Sequence, residues 1–143
     1  MDSALSSTGA RTALERIVES TAVDDDLHRE LRAAEAGLRD HLRCPCLEHP
    51  GLTPEIAAAR LRGIEVVLLG PSPSESGGTD RLTAALAGEV ALVVRRAEPG
   101  DRITIRRLRT GAGPVVLTLL VLRSDGSARL RSFSRDGAVI DET

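Results

Sequence analysis

The second half of the chain is punctuated by tight-turn signals at short intervals, and this limits its fold more than any other feature. Glu98-Pro99-Gly100-Asp101 carries proline and glycine at the central positions of a type II turn, and Asp125-Gly126 and Asp136-Gly137 are strong hairpin dipeptides. Between them lie runs only long enough for strands: 91–96, 102–108, 115–122, 128–133 and 138–140. Antiparallel neighbours are what such short connections permit. The stretch 115–122 is the most apolar of the chain, so it is expected to be the central strand.

The first half reads differently. Ala10, Ala13, Leu14, Ile17 and Val18 recur at helical spacing, and the helix is expected to end near Thr21. Asp24-Asp25-Asp26 then reads as the start of a second helix, since aspartates accept hydrogen bonds from free N–H groups there. Leu27, Leu31, Ala34, Leu38 and Leu42 follow at spacings of 4, 3, 4 and 4, close to a heptad seam. Together these predict a helical hairpin. Thr53-Pro54-Glu55 reads as N-cap, N1 proline and acidic first turn of a short helix stopped by Gly63. A buried strand over 64–69 and a short helix over 80–87 precede the turn-rich half.

The expected fold class is therefore α+β. An N-terminal helical hairpin and short helices pack on a mostly antiparallel β-meander of about five to six strands. A crossover from strand 64–69 would make the sheet mixed. Residues 1–143 read as a single domain, with 1–8 unstructured, 9–62 mainly helical and 64–143 mainly β.

Composition narrows the functional classes. Phe133 is the sole aromatic residue, so neither the stacking platforms of single-strand nucleic-acid binders nor Trp and Tyr interface anchors are on offer. All 19 basic residues are arginine, and lysine, asparagine and glutamine are absent, which points to codon bias in a GC-rich bacterium. Net charge is −2, divided into −5 over 1–76 and +3 over 77–143. No apolar run reaches the roughly 20 residues that span a bilayer. The N-terminus lacks a basic region followed by an apolar core, and two cysteines two positions apart are no secreted disulfide framework. The expected location is the cytoplasm, away from membranes.

Three segments carry candidate chemistry. His41, Cys44, Cys46 and His49 form H-x2-C-P-C-x2-H, four zinc-type ligands within nine residues. Against zinc, C-x-C spacing with a central proline lacks the N–H groups that face sulfur in ordinary zinc knuckles. The same pair has a redox reading, because a disulfide closed through one residue is strained and strained disulfides are readily reduced. His41 and Arg43 favour thiolate there, while the C-terminal end of a helix opposes it. Two inert, partly buried thiols in a helix-to-loop turn are the plain alternative.

Gly77, Gly78 and Thr79 end a loop between strand and helix, the arrangement that holds anions on backbone N–H groups, although no phosphate-binding motif is complete. Arg106, Arg107, Arg129 and Arg131 predict a basic sheet face. No nucleic-acid motif accompanies them and the sequence pI is about 5.9, so nucleic acid is not the expected partner. No G-x-S-x-G or H-E-x-x-H occurs. The leading expectation is a non-catalytic accessory or interaction module, with a protein partner or homo-oligomer. A metal-binding or thiol-redox protein centred on Cys44 and Cys46 is the alternative. An enzyme whose site forms no linear motif is the third reading.

Overall fold

The structure is a computed structural model. It describes residues 7–71, 81–109 and 113–143, with side chains described from Asp24 onward. The chain forms two compact units, Met1–Arg32 and Ala33–Thr143.

The first unit is helical, and its helix α1 (Ser7–Arg43) continues through the boundary. The expected hairpin is therefore one continuous helix. Asp24 to Asp26 do not start a new helix because nothing around them stops the old one. No proline or glycine lies between Gly9 and Gly37, and three aspartates cost only about 0.7 kcal/mol each in a helix interior.

The second unit is α+β. Helix α1 ends where Pro45 removes the next N–H, and a 3₁₀ turn (Pro45–Leu47) follows. Helix α2 (Thr53–Leu61) has Pro54 in its first turn. Leu52 takes the cap position, and the expected cap residue Thr53 instead accepts a hydrogen bond from the His49 N–H at 3.2 Å. Gly63, at φ +91°, lets the chain leave α2 through a left-handed residue and enter strand β1 (Glu65–Leu69).

Helix α3 (Ala84–Arg96) corrects two expectations, the strand over 91–96 and a helix stopping at 87. The Thr83 hydroxyl accepts from the Leu86 N–H at 3.2 Å and fixes the start. Leu86, Ala87, Val90, Ala91 and Val94 then all fall on one buried stripe. Gly88 costs about 1 kcal/mol mid-helix. Burial of five apolar side chains, at roughly 0.8 kcal/mol per CH₂ group, outweighs it.

Strands β2 (Arg102–Arg107), β3 (Leu117–Leu122), β4 (Ala128–Phe133) and β5 (Val139–Glu142) form the expected antiparallel meander. With β1 parallel to β2, the sheet is mixed, in order β1-β2-β3-β4-β5, and β3 is central. Ile103 faces Val121 and Ile105 faces Leu119 across the β2–β3 ladder, and these side chains meet α2 and α3 in the core with Leu117 and Phe133. On the opposite sheet face, among the described residues, Leu69, Leu120, Leu122 and Leu130 are exposed. Among the described residues, no helix is long and apolar enough to cross a membrane.

Candidate thiol site

The end of α1 builds a small site around two sulfurs. The Cys44 N–H donates to the Asp40 carbonyl at 2.7 Å and closes the last helical turn. The Leu47 N–H then donates to the Cys44 carbonyl at 3.2 Å, and buried Leu47 anchors the 3₁₀ turn in the core. Cys44 caps this turn in a non-helical conformation, φ −140° and ψ 57°, outside the turn's three-residue period. Cys44 Sγ and Cys46 Sγ lie 3.5 Å apart, within reach of an S–H···S hydrogen bond in which either can donate. Both cysteines are free thiols, Cys44 buried at 2% exposure and Cys46 half-buried.

Two distant residues complete the surroundings. Gly70 follows β1, and a Cβ there would come within 2.9 Å of both sulfurs and 3.4 Å of the Arg107 Cβ. Glycine is needed for space alone, since its φ is not in the positive region. Arg107, at the end of β2, lies on the core face of the sheet at 7% exposure and donates from Nη1 to the Cys46 carbonyl at 2.7 Å. An open groove of about 670 Å³ runs past Gly70 between the ends of β1 and β2, lined by Leu69, Pro71 and Arg106 to Arg109.

The two thiols are electrostatically unequal. The hydrogen bond from Cys44 favours the Cys46 thiolate, the Arg107 charge adds to this, and together they bring the Cys46 thiol down to about 7 despite partial burial. Cys44 is pushed the other way. Its donated hydrogen bond to Cys46 acts first, then burial, then the negative charges of Cys46 and Asp40. Asp40 is itself held by Arg60 at 2.7 Å in a pair that is largely shielded from solvent.

Of the four side chains in the H-x2-C-P-C-x2-H segment, only the two sulfurs come together. His41 Nδ1 is 2.5 Å from Glu48 Oε1 on the surface. His49 Nδ1 accepts from the Gly51 N–H at 2.9 Å. Among the described residues, no group of three or more His, Cys, Asp or Glu side chains is arranged to hold a metal ion. Zinc at this segment would need both histidines to leave these partners.

Gly77, Gly78 and Thr79 lie outside the described residues. The four arginines expected on one basic face are split between two. Alternation along β2 sends Arg106 to the open face and Arg107 to the core face. Through the ladders Ile103–Val121–Arg129 and Ile105–Leu119–Arg131, Arg129 and Arg131 share the face of Arg107, two strands away. Both pair with Glu142 on β5, as Arg102 does with Glu65 on β1. The acids of the sheet itself thus offset much of its positive charge.

Sequence reading finds the cysteine pair, and places Arg107 on a basic sheet face, but does not find that Gly70 and Arg107 join the cysteines. They are 24 and 61 positions beyond Cys46, and only the parallel pairing of β1 with β2 brings them to it. The apolar run ending at Gly70 was a usable signal for a strand whose end faces something close.

No family model, no curated protein and no solved structure matches this chain.

Proposed function

We propose that the protein is a thiol–disulfide exchange protein, with Cys46 as attacking thiol and Cys44 as resolving thiol. One observation carries this reading: two sulfurs 3.5 Å apart in unequal surroundings, Cys46 half-buried with the Arg107 guanidinium on its carbonyl, and Cys44 buried. Cys46, the less buried of the two, is also the one whose thiol is lowered to about 7, where nucleophilic thiolate and leaving-group ability balance near neutral pH.

The steps follow from that inequality. Cys46 thiolate attacks one sulfur of a substrate disulfide, an S–S bond breaks, and the first substrate thiolate leaves and takes up a proton. A mixed disulfide now joins Cys46 to the substrate. With Cys46 no longer an acceptor for its proton, Cys44 loses that proton to solvent and attacks the Cys46 sulfur. The second substrate thiolate departs, and the protein is left with a Cys44–Cys46 disulfide, two electrons having passed to the substrate. Closing a ring through Pro45 alone gives a strained disulfide, which makes the oxidised protein a ready oxidant.

The test is trapping with oxidised glutathione at neutral pH, read by intact mass. Cys44→Ser is expected to accumulate the mixed disulfide at Cys46. Cys46→Ser is expected to react at least about tenfold more slowly. Equal rates for the two variants would overturn the assignment.

A further inference from the structure

The groove beside the dithiol carries charge of one sign. Among the described residues, three arginines and no acid line it, with Leu69, Pro71 and Leu108 as its apolar wall. At about 670 Å³ it falls in the size range of small-molecule sites. Gly70 ties it to the sulfurs. This glycine lines the groove, and a Cβ on it would come within 2.9 Å of both Cys44 Sγ and Cys46 Sγ. The dithiol therefore lies directly behind one residue of the groove wall.

Register explains why positive charge remains there. Arg102 pairs with Glu65 on β1, and Arg129 and Arg131 both reach Glu142 on β5. Arg106 shares the sheet face of Arg102, but its cross-strand neighbours are Leu69 on β1 and Thr118 on β3. Neither can carry a counter-charge, and Arg106 is exposed. The acids nearest the cysteine turn in sequence are engaged elsewhere, Asp40 with Arg60 and Glu48 with His41. Arg107 is directed to the Cys46 carbonyl. Arg106 is thus the groove's exposed cation with no acid among the described residues beside it. A guanidinium in that position suits a carboxylate, which it can hold through two parallel hydrogen bonds. What reacts at Cys46 is a disulfide. Disulfides of cysteine and of its short peptides supply both groups, a carboxylate within a few bonds of each sulfur.

We propose that the groove between the ends of β1 and β2 is a substrate site for small carboxylate-bearing disulfides, cysteine or short cysteine peptides joined through sulfur, with Arg106 receiving the carboxylate. The inference rests on the thiol-exchange reading and names the substrate class of that site. Arg106 is a specificity residue here: it holds the carboxylate, and bond making and breaking stay at Cys46 and Cys44.

Competing probe disulfides test the site. The reduced full chain carrying Cys44→Ser is reacted at neutral pH with oxidised glutathione, which bears carboxylates, and with hydroxyethyl disulfide, which is uncharged. The rate of mixed-disulfide formation at Cys46 is followed by intact mass. Both probes meet the same thiolate, so the ratio of their rates cancels any change in Cys46 itself. Adding Arg106→Glu is expected to lower the glutathione-to-hydroxyethyl ratio about fivefold or more. Arg106→Lys, which keeps the charge, is expected to retain most of it. Salt at about 0.5 M is expected to bring the ratio of the Arg106 protein toward that of the glutamate variant. Arg106 is exposed, so circular dichroism of both variants is expected to match the parent. A ratio unchanged by Arg106→Glu, with both probes reacting, would overturn the groove assignment and leave thiol exchange standing. Failure of Cys46 to react with either probe would overturn thiol exchange and the substrate class with it.

Discussion

At the scale of single residues, the site depends on a missing methyl group and a buried charge. Gly70→Ala forces a Cβ to within 2.9 Å of two sulfurs held by a core-anchored turn. It is expected to destabilise the protein by about 1–3 kcal/mol in chemical denaturation and to slow the reaction of Cys46. Arg107→Leu removes the cation that helps hold Cys46 as thiolate. The midpoint of Cys46 alkylation against pH is expected to rise toward the ordinary thiol value of about 8.5. Stability follows the same linkage. A thiol lowered in the folded state stabilises it above the ordinary thiol pKa and loses that contribution as pH falls through about 7. Reduced wild type should therefore gain thermal stability between about pH 7 and 8.5, relative to Cys46→Ser. Cys44, held protonated, works in the opposite sense only above that range.

At this scale the sequence was half legible. Cys44 and Cys46 declare themselves by spacing, and so does the proline that ends α1. Gly70 looks like the first residue of a loop and Arg107 like one more arginine on a surface. Their roles arise from register, because shifting β2 by one residue would exchange Arg107 for Arg106 on the core face.

At the scale of elements, strong punctuation was read correctly and weak punctuation was not. The β3–β4 and β4–β5 hairpins follow from turns whose glycines, Gly126 and Gly137, adopt positive φ, whereas the Pro99-Gly100 turn, expected between two strands, leads from α3 into β2. Helix α3 was misread because an apolar run of five or six residues suits a strand or a buried helix equally, and only the Thr83 cap breaks the tie. The helix expected over 80–87 runs on through Gly88 to Arg96. Gly88 has open space around its Cα, so Gly88→Ala is expected to stabilise the protein by about 0.5–1 kcal/mol, read as a rise in melting temperature. The three aspartates before Leu27 show the converse error: cap residues mark a helix start only where the preceding chain has been made to stop.

At the scale of the whole molecule, the second unit is organised so that a parallel strand pair, β1 with β2, faces the end of a helix, and the cysteine turn closes that junction. The turn entering β2 is fixed by Asp101, 3% exposed, whose carboxylate accepts from the Glu98 N–H at 3.0 Å and the Ser124 N–H at 3.3 Å. Asp101→Ala leaves both donors unsatisfied and is expected to cost about 1–3 kcal/mol in denaturant unfolding, with the dithiol loosened through β2. The measurement that bears most directly on the central claim is site-resolved alkylation of the reduced, folded protein across pH, quantified by peptide mass spectrometry. Cys46 should label with a midpoint near pH 7 while Cys44 stays unlabelled until the protein is denatured. Labelling of both cysteines together, at the ordinary thiol midpoint of about 8.5, would contradict an asymmetric exchange pair.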